Sequence, residues 1–141
     1  MRNGYVVLDK PQQILDAYAK IKELGAKNVA IDTEFNTYTS EYAVEMARGT
    51  GRKARAWTHT HAETVGISVS IGPKFTFYAP LHGLGMFGTA RKFIKMCLRD
   101  GMTLWAWNWK AEWKALGITP TIGDAYYDAM VLAWFLEEGV P

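Results

Sequence analysis

The chain has 141 residues, 49% of them hydrophobic and 13% aromatic, which suits one domain, or part of one, with a packed core and excludes a disordered or low-complexity polypeptide. Sixteen Lys and Arg against fourteen Asp and Glu leave a formal net charge of +2, so any pull toward nucleic acid or membrane has to be local. The lone Cys97 has no intrachain partner, and the longest apolar run, MVLAWFL at 130–136, falls far short of a membrane span of roughly 20 residues. With no signal-peptide core at the amino terminus either, a cytoplasmic protein is expected, in a host cytoplasm if the gene is phage-borne.

GYVVL at 4–8 predicts a short first strand, and Pro11, with Asp9 just ahead, sits where the first turn of a helix accepts it. Ile14, Tyr18 and Ile21 then keep i, i+4, i+7 spacing until Gly25 stops the helix. NVAIDTE at 28–34 is apolar enough on both faces to be a central strand. From Asn36 to about His61 no regular pattern is visible, and four of the eight residues of RGTGRKAR at 48–55 are basic; a mobile basic insertion over 36–61 is expected. Val65, Ile67, Val69 and Ile71 alternate with Thr64, Gly66, Ser68 and Ser70, while Phe75, Phe77, Ala79 and Leu81 alternate with Thr76, Tyr78 and Pro80, and GPK joins the two runs into an antiparallel hairpin. A helix near 89–99, a strand at 103–108, a helix ended by Gly117 and a helix over 124–137 follow. In that last helix Tyr127, Met130, Val131 and Trp134 would share one face. The order predicts an α/β fold, a mixed sheet with an antiparallel part and flanking helices.

Chemistry concentrates in VAIDTEF at 29–35. Asp32 and Glu34 are two apart on a strand and so point the same way, where their charges repel unless a cation or exposure at an edge relieves them. Hard divalent cations take such oxygen donors; the plain alternative is a surface pair at a strand end. Asn108 and Glu112, four apart at a strand-to-helix junction, can project from one helical face, Asn108 orienting a ligand and Glu112 adding a third carboxylate. Their plain alternatives are a helix cap and a solvated charge near Lys110 and Lys114. Of the tryptophans, Trp105 and Trp107 share a face of the 103–108 strand, which favours core packing over base stacking. His59 and His61 read as surface residues rather than a zinc site, and Cys97 as a small buried hydrophobe.

VAIDTEF, the hairpin TVGISVSIGPKFTFYAPL, AWNWKAEWKALGI and YYDAMVLAWFL together resemble the DEDD-type 3'-5' exonucleases, most of all the proofreading domain of family A DNA polymerases of phages and bacteria. The resemblance runs from about 27 to 138 and implies an RNase H-like exonuclease fold over a single partial domain, 1–141. It implies a pair of Mg²⁺ or Mn²⁺ ions held by Asp32, Glu34 and Glu112 as the catalytic set. Thr33, Phe35, Asn108, Arg52, Lys53 and Arg55 would contact nucleic acid, with Asp128 a further candidate acid whose plain role is first-turn helix charge. Where family members show Asn, three residues and Asp, this chain has Asn108 and Glu112, one methylene longer. The Tyr-x-x-x-Asp of the family's third motif has no counterpart before Pro141, so an isolated chain would be impaired and the domain carboxy-terminally incomplete. The implied substrate is a single-stranded DNA 3' end, with the remainder of a DNA polymerase as a partner in cis or trans and no membrane involved. Two rival readings are a non-catalytic module that binds nucleic acid or docks on a polymerase, and an unrelated α/β domain whose acids are structural.

Overall fold

The computed structural model describes residues 5–43 and 56–137, with side chains over 5–37 and 63–137. In chain order the elements are β1 (Val6–Val7), α1 (Pro11–Glu23), β2 (Asn28–Ala43), β3 (Ala56–Ser70) and β4 (Thr76–Pro80), then α2 (Met86–Arg99), β5 (Thr103–Ala106), α3 (Trp109–Leu116), β6 (Tyr126–Asp128) and α4 (Ala129–Glu137). The six strands form one mixed sheet in the order β1-β4-β3-β2-β5-β6, antiparallel across β2, β3 and β4 and parallel elsewhere. This is the mixed α/β sheet with an antiparallel hairpin and flanking helices that the sequence predicts.

Helix boundaries follow local chemistry. At the start of α1 the Gln13 side chain accepts the backbone N–H groups of Asp9 and Lys10, filling the role a carboxylate takes in a capping box. Past the ends of α1 and α3, Gly25 and Gly117 hold positive φ of 66° and 60°, a region closed to most side chains at low cost.

Strand alternation sends Val29, Ile31, Ile67, Val69, Phe77 and Ala79 to one face, where α1, α2 and α3 bury them in a single core. Phe93 of α2 meets Phe77 and Tyr18 edge-on, at ring separations of 5.6 and 6.2 Å. Cys97 lies in this core, and burial pushes its thiol up to about 12, so it packs as a small hydrophobe. The other face carries exposed Ala30, Asp32 and Glu34 and half-buried Ser68, Ser70, Thr76 and Tyr78; no helix core covers it among the described residues.

Several sequence expectations change. β2 and β3 pair continuously out to Ala43 and Ala56, so strand runs through much of the stretch expected to lack regular structure. A ladder held by backbone hydrogen bonds needs no apolar alternation, which is why the pattern did not reveal it. Arg48, Arg52, Lys53 and Arg55 lie outside the described residues, as do the side chains of His59 and His61. The last helix begins at Ala129 rather than near 124, because Tyr126–Asp128 pairs with β5 as a parallel edge strand. Tyr127 therefore belongs to a strand, and α4 leaves Met130, Val131 and Trp134 exposed along with Leu132, Phe135 and Leu136. No helix among the described residues is long and apolar enough to cross a membrane.

Candidate functional site

β2 is central, yet β5 pairs with it only over Asn28–Ala30. Beyond Ala30 the β5 side of the strand has no ladder partner among the described residues, and a backbone N–H there must find an acceptor elsewhere. Glu112 supplies it. Its Oε2 accepts the Thr33 N–H at 3.0 Å and the Thr33 hydroxyl as well. Glu112 is 5% exposed, so it is no solvated helix charge. Burial raises its pKa; Thr33 opposes this by hydrogen bonding, and the charges of Asp32 and Glu34 add to the rise.

Asp32 and Glu34 flank Thr33 and emerge on the open face of the sheet. The described ion pairs join Lys22 and Arg99 to Asp100, so neither acid has a basic partner among the described residues. Asp32 stands in one cross-strand row with Ser68 and Tyr78, and Glu34 in the next with Gly66 and Pro80. The β2–β3 register slips between Glu34 and Phe35, a bulge that re-aims the side chains around it. Gly66 has a steric reason: a Cβ there would overlap the Tyr78 ring, which lies across it. The result is a depression of about 450 Å³ bordered by Tyr5, Glu34, Ser68, Thr76 and Tyr78.

Two hard-oxygen donors without a basic partner among the described residues suit Mg²⁺ or Mn²⁺, and Glu112 brings a third carboxylate to the same strand. The fit is partial: among the described residues no three of His, Cys, Asp and Glu are gathered closely enough to enclose an ion.

The remaining sequence candidates occupy distinct places. Thr33 is 5% exposed and turned inward to Glu112, away from any ligand on the open face. Phe35 is 45% exposed. Asn108 is the N-cap residue of α3, but its side chain makes no capping bond. Asp128 does that work: Oδ2 accepts the Trp109 N–H at 2.9 Å, and Oδ1 accepts the N–H groups of Met130 and Val131 at 3.0 and 3.3 Å. It precedes α4 as a cap instead of lying in its first turn, and serves two helix starts at once.

The tryptophans divide by position. Leu104 and Ala106 face the core from β5, leaving Trp105 half-buried and Trp107, past the strand end, 61% exposed. The expectation that Trp105 and Trp107 are core residues is thereby corrected. Trp109 and Trp113 of α3 are buried instead, stacked at 4.3 Å with Tyr126 edge-on to both. Trp105 stacks on Tyr127 at 4.8 Å and donates its indole N–H to Asn28 Oδ1. No sequence signal separated the two pairs, since strand parity is set by register against β2.

No family model and no curated protein sequence matches the chain. Solved structures do. The fold is similar to RNase D from Trypanosoma brucei, with a TM-score of 0.59 at 17% identity over 94% of this chain and 40% of that one. The same enzyme in complex with RNA U12 matches with a TM-score of 0.58 at 16% identity, over 92% of this chain and 38% of that one. The catalytic core of RRP6 from the same organism matches with a TM-score of 0.56 at 11% identity, over 95% of this chain and 31% of that one. The fold is thus the exonuclease-like α/β fold of RNase D and RRP6, and the chain spans at most about two-fifths of the length of these structures.

Proposed function

We propose that this chain carries the metal-binding half of a 3'-5' exonuclease site and that the open face around Asp32 and Glu34 is where a terminal phosphodiester is hydrolysed. The observation that carries the reading is the placement of these two acids. They share one face of the central strand without a basic partner among the described residues, and Glu112 is tied to the residue between them. Likeness in fold to RNase D and RRP6 supports it, as does the resemblance of VAIDTEF and NWKAE to exonuclease motifs.

Asp32 and Glu34 would hold the divalent ions, Mg²⁺ or Mn²⁺, which when bound supply an activated water and stabilise the leaving 3'-oxygen. Glu112 holds β2 at Thr33, between the two acids, and so would fix their direction and bring a third carboxylate toward the ions. The Trp105–Tyr127 stack and exposed Phe35 offer aromatic surface to unpaired bases of a single strand. A single-stranded 3' end is the substrate in this reading. Oligouridylate is the first probe, because an RNase D of similar fold was seen with RNA U12, and single-stranded DNA is the second, from the resemblance to polymerase proofreading domains. The remainder of a polymerase or nuclease, in cis or trans, is the partner, and the cytoplasm the place of action.

A 5'-labelled single strand incubated with the chain and Mn²⁺ should shorten stepwise from its 3' end, and Asp32→Ala and Glu34→Ala should each stop it. An intact strand under Mg²⁺ and Mn²⁺ alike overturns the hydrolytic reading. It would favour a binding module, the second reading, which the absence of an enclosing donor trio among the described residues supports.

A further inference from the structure

A second surface lies on the helix-covered side of the sheet. α2 carries Arg91, Lys92, Lys95 and Arg99, and its fourteen residues include no acid. At 100° per residue these four side chains fall within about 100° of arc, while Met86, Ala90, Phe93, Ile94 and Cys97 occupy the opposite, buried face. Together with Gly88 and Met96 they line an open groove of about 650 Å³.

Spacing of this kind is unfavourable for an isolated helix. Arg91, Lys95 and Arg99 follow one another at i, i+4 and i+8, and like charges one turn apart repel. Among the described residues the acid that meets this strip is Asp100, which Arg99 approaches at 3.6 Å and which also pairs with Lys22. Arg91 is held in place, one nitrogen donating to Gly117 O at 2.9 Å and its guanidinium lying over Phe87, while its buried Nε has no acceptor among the described residues. Lys92 and Lys95 are exposed, and Gly88 leaves open space beside them. A row of cations one helical turn apart on an acid-free helix, in a chain of net charge only +2, complements a polyanion with regularly spaced charges.

We infer that this face of α2 docks the phosphodiester backbone of a nucleic acid without reading its sequence. The choice of polyanion rests on the exonuclease reading, whereas the surface itself lies on the opposite side of the sheet from Asp32 and Glu34. It would hold a segment of the strand distant from the 3' end.

Binding is measured on the whole chain by fluorescence anisotropy with a labelled 20-nucleotide oligouridylate, in EDTA so that cleavage cannot intervene, across a range of KCl. The triple variant Lys92→Glu, Lys95→Glu, Arg99→Glu should bind about tenfold or more weakly at 50 mM salt. Its log–log salt slope should be shallower by about 2, near 0.7 per lost phosphate contact on a single strand. The neutral variant Lys92→Gln, Lys95→Gln, Arg99→Gln should show the same slope change and decides the matter if charge reversal impairs folding. A parent chain that binds in EDTA yet leaves the strand intact under Mg²⁺ and Mn²⁺ refutes the hydrolytic reading while sustaining this one. Unaltered affinity and slope in folded variants would overturn the inference. So would absence of binding by the parent chain, or retention on phosphatidylserine vesicles without retention on the oligonucleotide.

Discussion

The backbone N–H of Thr33 donates to Oε2 of Glu112 at 3.0 Å, joining a strand and a helix that lie 79 residues apart in sequence. The bond stands where β5 has ceased to pair with β2, so a carboxylate replaces the next rung of a sheet. It also brings an acid from α3 to the strand that carries Asp32 and Glu34.

Removing that acceptor leaves a buried N–H and a buried hydroxyl unsatisfied. Glu112→Ala should therefore lower stability by about 2–3 kcal/mol, a fall in Tm of roughly 5–10 °C by scanning calorimetry. Glu112→Gln keeps a carbonyl oxygen for Thr33 and should lose less than half as much. Equal losses in the two variants would show that packing, not the hydrogen bond, matters at this position.

The raised pKa of Glu112 sets a pH dependence. Between its ordinary value of 4.5 and the raised folded value, the native state holds a proton that the unfolded chain has released. Stability from this group is complete below 4.5 and declines as pH climbs through the folded value. Thermal melts in EDTA should thus show Glu112→Gln gaining on the parent chain across that window and keeping a constant difference above it. A difference that does not vary from acid to neutral pH would count against the burial of the charge.

Asp128 caps α4 and also accepts the first N–H of α3. Asp128→Ala should cost about 1–2 kcal/mol, and Asp128→Asn, which retains one carbonyl oxygen, an intermediate amount. If the residue is a cap alone, the Asn variant cleaves a single strand as the parent does below its melting temperature. Lost cleavage at unchanged Tm would instead mark Asp128 as a ligand.

Gly66→Ala places a methyl group against the Tyr78 ring beside Glu34. The overlap should destabilise the fold by about 1–3 kcal/mol, and pairing it with Tyr78→Ala should cost less than the two changes summed. Strict additivity in a double-mutant cycle by urea denaturation would refute the contact.

Much of the fold was legible because its signals are local. Ile14, Tyr18 and Ile21 ran at helical spacing up to Gly25, and the alternation of Val65 to Ile71 and of Phe75 to Ala79 announced the hairpin now seen as β3 and β4. β6 was hidden, since three residues are too few to show a period and its neighbour β5 is 20 residues away in sequence. Trp105 and Trp107, expected in the core, lie on the opposite parity of β5 from buried Leu104 and Ala106, because register against a distant strand decides which parity faces inward. The cation strip on α2 is encoded locally, Arg91, Lys95 and Arg99 standing four apart in a helix without acids.

Residue order alone determined that Asp32 and Glu34 share one side of a strand, since pleating makes positions two apart parallel whatever surrounds them. Tertiary structure alone decided that this side is open and that Glu112 is drawn in at Thr33. Whether a carboxylate is buried or solvated depends on where a distant strand stops pairing and leaves a backbone donor to be satisfied, a fact of the assembled sheet that no local spacing encodes.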